Sequence, residues 1–176
     1  MKPVLYAHPF SSYCQKVVTA LYENNTDFSI RLIQFQEKAD EEALAAVWPM
    51  KRFPVLIDGD RTVIESSVII EYLQHTHPGP VRFIPEDIDA ALDVRFMDRV
   101  FDNYVMTPMQ RIVFDRLRPA GKQDEIGTAD ARRMLDMAYG WLDDRLASRE
   151  WAAGDTFTMA DCAAAPSLFY ADWVQR

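Results

Sequence analysis

The sequence predicts a small α/β domain followed by an all-α domain. Three observations carry this: strand-like and helix-like periods alternate up to His77, a proline-rich break follows, and only helical periods recur after it. A chain of 176 residues has room for two small domains, each able to bury a core. With 49% hydrophobic and 26% charged residues it reads as folded rather than disordered or fibrous.

Val4 to Ala7 is a short apolar run, read as a strand. After the Pro9 to Ser12 turn, Cys14, Val17, Val18 and Leu21 fall at the i, i+3, i+4, i+7 spacing of a buried helix face. Phe28 to Leu32 alternates with period two, so a helix joins two strands and makes them parallel. A second helix spans Glu41 to Val47 and stops before Pro49. Pro54-Val55-Leu56-Ile57 and Thr62-Val63-Ile64 flank Asp58-Gly59-Asp60, the signal of an antiparallel hairpin. Ser66 or Ser67 can cap the next helix, whose apolar face is Ile69, Tyr72 and Leu73. The first domain is therefore 1–77. Residues 78–87 form a linker, because three prolines and a glycine between His75 and Glu86 suit neither helix nor central strand.

The helical domain is 88–176. Met97, Val100, Phe101 and Tyr104 make one apolar stripe, and Leu135, Ala138, Tyr139 and Leu142 another. Pro108 is expected to kink or end the first long helix, since it lacks a donor and clashes one turn back. Thr158 and Asp161 have capping-box spacing, and Phe157 can staple onto Cys162, so they read as folding residues.

Residues 1–77 carry 7 basic against 10 acidic residues and the rest 12 against 17, so neither half offers the Lys/Arg surface that nucleic acid or an anionic membrane requires. The N-terminus has no secretory pattern, and nowhere do 18 apolar residues run together. The two cysteines, Cys14 and Cys162, have no Cys or His cluster around them, so neither a metal site nor a disulfide is expected. A cytoplasmic address follows by default. His8, His75 and His77 share no element with a plausible nucleophile and receive no catalytic role.

Four segments in order carry a resemblance: Ser11-Ser12-Tyr13-Cys14-Gln15-Lys16-Val17, Phe53-Pro54-Val55-Leu56, Glu65-Ser66, and Phe157-Thr158-Met159-Ala160-Asp161. Together they resemble the glutathione transferase family, a thioredoxin-like domain followed by a helical domain, over nearly the whole chain. The resemblance implies that Pro54 is cis and that the backbone of Phe53 pairs with the cysteinyl part of glutathione. It implies that Glu65 and Ser66 receive the γ-glutamyl end, whose ammonium suits a carboxylate and whose carboxylate suits a hydroxyl at a helix N-terminus. Arg52 or Lys51 would meet the glycyl carboxylate. The residues alone read more simply: a trans proline opening a strand, a serine N-cap, and charges in solvent.

Ser11 is the candidate catalytic residue. A thiol of pKa about 8.5 is only ~3% ionised at neutral pH, and lowering it by about two units takes only ~2.7 kcal/mol. A hydroxyl donating to the sulfur at a helix N-terminus favours the anion by that order. Capping the helix is compatible with this, because a serine has one donor and two lone pairs. Ser11 to Cys14 also resembles the Cys-x-x-Cys of glutaredoxins with the attacking cysteine replaced by serine, which matches the serine chemistry of the theta and zeta groups. Cys14 then reads as a buried core residue, a cysteine-type enzyme being the other option, and Tyr6 as packing.

The resemblance therefore implies a transferase that uses glutathione as co-substrate and joins it to a small electrophilic, mostly apolar acceptor. Phe10, Tyr104, Met106 and Met109 are candidates for an acceptor pocket between the domains. Two alternatives stand beside it: a non-catalytic glutathione-binding or regulatory module, and a zeta-like isomerase, which would share Ser11-Ser12 but not Tyr13 and Cys14. The resemblance also implies a homodimer, with Asp98 or Asp102 reaching toward a neighbour's glutathione. Family chains continue past the helix carrying Phe169, Tyr170, Trp173 and Val174. The expectation is a truncated or partial chain, or a less stable protein with a wide acceptor site.

Overall fold

The structure, a computed structural model, describes residues 2–34 and 36–175. The helical-domain expectation thus reaches Arg176, which lies outside the described residues. The chain divides into two units, Met1–Pro85 and Glu86–Arg176.

The first unit runs β1 (Val4–Ala7), α1 (Ser12–Glu23), β2 (Ser29–Leu32), α2 (Lys38–Val47), β3 (Val55–Asp58), β4 (Arg61–Ile64) and α3 (Ser66–Thr76). The strands form one sheet in the order β2-β1-β3-β4, with β1 and β2 parallel and the other pairs antiparallel. Tyr6 lies opposite Val55, and Val55 opposite Ile64. On that face, Val55 joins Ile33 and Leu44 of α2 in a buried cluster flanked by Tyr6, Trp48, Phe53 and Ile64. Strand alternation puts the Leu5 and Leu56 pair on the other face, both fully buried, where α3 contacts β3 and β4 and packs against α1. Each such aliphatic side chain contributes about 2 kcal/mol by burial.

The proline-rich segment packs as part of the first unit up to Pro85. The Asn24 amide takes both backbone groups of Val81, at 2.8 and 3.1 Å, and the Gln74 amide takes both of Ile84, at 2.7 and 3.2 Å. Phe83 is fully buried. Gly79 is required here, since a Cβ would lie 2.5 Å from the Asn24 carbonyl oxygen.

The second unit contains α4 (Ile88–Val100), a π-helical segment (Phe101–Met106), α5 (Thr107–Arg116), α6 (Glu125–Leu146) and α7 (Met159–Asp172). Pro108 neither ends nor breaks the long helix. The backbone stays helical from Ile88 to Arg116, and the wide π turn falls immediately ahead of the proline, where the missing N–H and ring bulk disrupt α-helical bonding. The wider turn also shifts the phase of the apolar stripe: Tyr104 rotates to 48% exposed, while Val105 and Met106 become fully buried. No helix among the described residues is long and apolar enough to cross a membrane.

The capping box at α7 forms as expected. Asp161 Oδ2 accepts from the Thr158 N–H at 2.8 Å and hydroxyl at 3.1 Å, and its Oδ1 accepts from the Ala152 N–H at 2.7 Å. Phe157 packs edge-on against Trp151, 5.7 Å between ring centroids. Because one carboxylate serves three donors, Asp161→Ala is expected to cost about 2 kcal/mol. Thermal unfolding should register this as a fall of roughly 5 °C in Tm. An unchanged Tm would show that the network does not hold α7.

Candidate active site

The sheet register gathers three chain segments at one edge. The chain leaves β1 at Ala7, and the reversed β3 begins opposite Tyr6, so the turn to Ser11 and the approach through Phe53 and Pro54 share that end of the sheet. Because β4 is reversed again, with Ile64 opposite Val55, Glu65 and Ser66 emerge at the same edge. His8 gives a direct contact across this edge: its ring stacks on Phe53 at 5.9 Å and 19°, and its carbonyl accepts from the Ser11 N–H at 3.0 Å. His8, given no role from sequence, thus belongs to the framework of the site.

Ser11 is the N-cap of α1, and its Oγ accepts from the Cys14 N–H at 3.2 Å. Capping uses a lone pair, so the hydroxyl proton remains available to an anion. Ser11 is 9% exposed, whereas the Oγ of Ser12 is sealed from solvent and has no hydrogen-bond partner among the described residues. The two serines therefore differ, and Ser11 is the one with accessible surface. Cys14 is 1% exposed, and burial pushes its thiol up to about 11, against the lowering effect of the Ser11 side chain and the His8 backbone. At neutral pH it is a protonated core thiol, which argues against a cysteine-type nucleophile.

The Phe53–Pro54 peptide is cis, as the family resemblance implied. Phe53 is partly exposed and Pro54 buried. Arg52 is exposed, while its neighbour Lys51 is bound to Glu41 at 2.6 Å and holds that carboxyl below its ordinary range.

Glu65 is exposed and Ser66 buried. Glu65 stands at φ 69°, ψ 121°, in the left-handed half of backbone space, which a non-glycine residue occupies only under constraint. It is the N-cap of α3, yet its side chain makes no capping bond, and the first turn of α3 carries no acidic residue. The positive end of the α3 dipole is thus not offset by a carboxylate within its own first turn. The start of α2 differs, since Asp40 and Glu41 already occupy its first turn.

Lys16 received no role from the sequence. It is fully buried, and its Nζ donates to Ser67 Oγ at 2.9 Å, joining α1 to the first turn of α3. The signal was present: Ser12, Lys16 and Ala20 recur at i+4, and small residues on either side leave room for a long chain. Tyr6 proves to be packing as expected, with its hydroxyl accepting from Arg31 at 3.1 Å and the Arg31 guanidinium lying 4.9 Å over its ring. Other expectations are corrected by burial. Met106 and Met109 are 0% and 4% exposed and belong to the core of the second unit, so they cannot touch an acceptor. Asp98 and Asp102 are 1% and 3% exposed and share Arg99, so they are not free to reach a neighbour.

Comparison with known proteins agrees with this geometry. Models of the glutathione S-transferase N-terminal and C-terminal domains match residues 5–81 and 113–175. The chain is 30% identical to maleylacetoacetate isomerase of Rattus norvegicus over 177 residues, covering 97% of this chain and 79% of that one. It is 32% identical to glutathione S-transferase theta-1 of Mus musculus over 91 residues, covering 51% and 38%. Among solved structures, a glutathione S-transferase from Methylobacillus flagellatus with glutathione bound superposes with a TM-score of 0.89 at 27% identity, covering 98% of this chain and 84% of that one. With both domain models matched in order, and an edge where Ser11, cis Pro54 and Glu65-Ser66 converge, the chain belongs to the glutathione S-transferase family.

Proposed function

We propose that the protein is a serine-type glutathione transferase that joins reduced glutathione to a small electrophilic, mostly apolar acceptor. The observation that carries the reading is the shared sheet edge, where a helix-capping serine, the backbone beside a cis proline and an uncapped helix N-terminus converge. In this reading the γ-glutamyl carboxylate takes the Ser66 hydroxyl and the α3 N–H groups, and its ammonium takes the Glu65 carboxylate. The cysteinyl backbone pairs with Phe53 as an added strand, and Arg52 meets the glycyl carboxylate. The sulfur then lies near Ser11. Its proton passes to solvent, the Ser11 hydroxyl donates to the resulting thiolate, and the sulfur forms a bond to the electrophilic carbon as the leaving group departs with its electron pair. No general base is required, because lowering the thiol pKa by about two units takes only ~2.7 kcal/mol.

A second reading, a glutathione-dependent isomerase, is supported by the relative named maleylacetoacetate isomerase and uses the same edge. An aryl halide assay separates the two, since conjugation consumes glutathione and isomerisation regenerates it. A folded protein that binds glutathione and turns over neither class of substrate would instead be a binding module.

We place the protein in the cytoplasm as a homodimer. Ile88, Leu92 and Phe96 lie at i, i+4, i+8 along α4 and are 74%, 57% and 51% exposed, and Phe96 meets Trp141 of α6 edge-on at 5.9 Å. A continuous apolar strip of this kind supports association with a second copy. Leu92→Glu with Phe96→Glu should convert a dimer into the 20.3 kDa species in sedimentation at micromolar concentration. A wild type that is already monomeric would refute the dimer.

For the catalytic assignment, Ser11→Ala is expected to lower kcat by roughly 100-fold with glutathione affinity nearly unchanged, because the hydroxyl acts on the ionised sulfur. Cys14→Ser should keep most activity. Steady-state kinetics of both variants decide the matter, and the reverse pattern would transfer the chemistry to Cys14.

For the binding assignment, Glu65→Ala should weaken glutathione binding at least about tenfold, as losing one partner of a charge pair that the bound ligand covers does, while Arg52→Ala at the rim should cost less than about fivefold. Calorimetric titration compares them, and equal affinities would remove Glu65 from the site.

A further inference from the structure

Lys16 occupies an unusual place for a lysine. It lies on α1, the helix capped by Ser11, yet none of its surface is exposed. Burying an ammonium is costly unless polar partners receive it, and an unbranched apolar chain of similar length would fill the same volume without that cost. Its Nζ donates to Ser67 Oγ at 2.9 Å. Ser67 follows Ser66 in the first turn of α3, two residues after the strained Glu65. One buried cation therefore ties the helix bearing Ser11 to the helix start that carries Glu65 and Ser66.

We propose that Lys16 is a positioning residue for the γ-glutamyl end of glutathione. It fixes the first turn of α3 relative to α1, so that the Ser66 hydroxyl and the start of the helix face one carboxylate. It also sets the Lys16 amino group beside that turn. The inference rests on the reading of this edge as the glutathione site. A helix start with no capping bond at Glu65 has little of its own to hold its first turn, and the Lys16 to Ser67 bond supplies a tether from a neighbouring helix. The cation acts at a distance from the sulfur, so its effect belongs to glutathione binding rather than to the bond-forming step.

The test compares wild type, Lys16→Met, Lys16→Arg and Ser67→Ala by glutathione KM and kcat with a saturating aryl halide, by calorimetric titration of reduced glutathione, and by thermal melting. Lys16→Met is expected to raise the glutathione KM about tenfold, with kcat changing by less than KM does, and Lys16→Arg to restore most of the affinity. Ser67→Ala should raise KM by roughly threefold in the same direction. A merely space-filling lysine would alter the melting temperature and leave KM untouched, and a folded Lys16→Met protein with wild-type KM and affinity overturns the proposal. So does a kcat that falls alone. Should Lys16→Met fail to fold, Ser67→Ala decides, and unchanged affinity there overturns it. Wild type that binds no glutathione removes the functional reading and this inference with it, and is told apart because it appears before any substitution is made.

Discussion

A slip of one residue between β3 and β1 would undo the site before it altered any side chain in it. Tyr6 faces Val55, and both belong to the cluster with Leu44 of α2, so a slip would carry that apolar set to the opposite face. The same slip would move Pro54 and Phe53 along the edge relative to the turn from Ala7 to Ser11. Register is thus held by burial of the Tyr6, Val55 and Ile64 face, and the placement of the functional segments follows from it. The stacking of His8 on Phe53 then closes the last gap between two loops that the strands have already brought together.

Within that frame, neighbouring residues of α1 divide the work by their depth. Ser11 keeps accessible surface and a hydroxyl proton, Ser12 turns its hydroxyl inward without a partner, and Cys14 is driven to a thiol pKa of about 11 by burial. A buried, unpaired hydroxyl costs about 1 to 3 kcal/mol, so Ser12 is a tolerated expense rather than a stabilising contact. Cys14, the alternative to Ser11 in the sequence, is withdrawn from solvent by the fold together with Ser12.

The sequence made the first unit legible because its signals are local: a period change at Ser12, a hairpin at Asp58-Gly59-Asp60, and short segments whose order matched a family. The cis state of Pro54 was readable only through that resemblance, since nothing in the residues themselves forces it. Three features escaped for physical reasons. The π turn before Pro108 shifts helical phase, so a 3.6-residue period sent Tyr104 inward and left out Val105. The proline-rich stretch looked like a free linker, because the side-chain amides of Asn24 and Gln74 that satisfy its backbone lie 57 and 10 residues away. Lys16 was missed because charge normally predicts exposure, and a single sequence does not reveal the hydroxyl that receives it.

The helix starts show how stability and function are kept apart in this chain. Asp87, Asp124 and Thr158 cap α4, α6 and α7 in the second unit with side-chain oxygens, and the Asp161 carboxylate accepts from two further backbone N–H groups at the start of α7. Each such cap contributes about 1 kcal/mol and leaves little of the dipole for a ligand. At the site edge the arrangement is reversed. Ser11 caps with a lone pair and keeps its proton, and Glu65 at the start of α3 makes no capping bond and holds an unfavourable backbone conformation. Strain of this kind costs on the order of 1 to 3 kcal/mol and persists only where surrounding structure imposes it. Glu65 lies between the paired end of β4 at Ile64 and the Ser67 hydroxyl that receives Lys16. A strained helix start without a side-chain cap, at the end of the sheet that also carries Ser11, suits an anionic ligand, which is why the proposed function puts glutathione binding on the first unit, whereas the helices of the second are closed by their own caps.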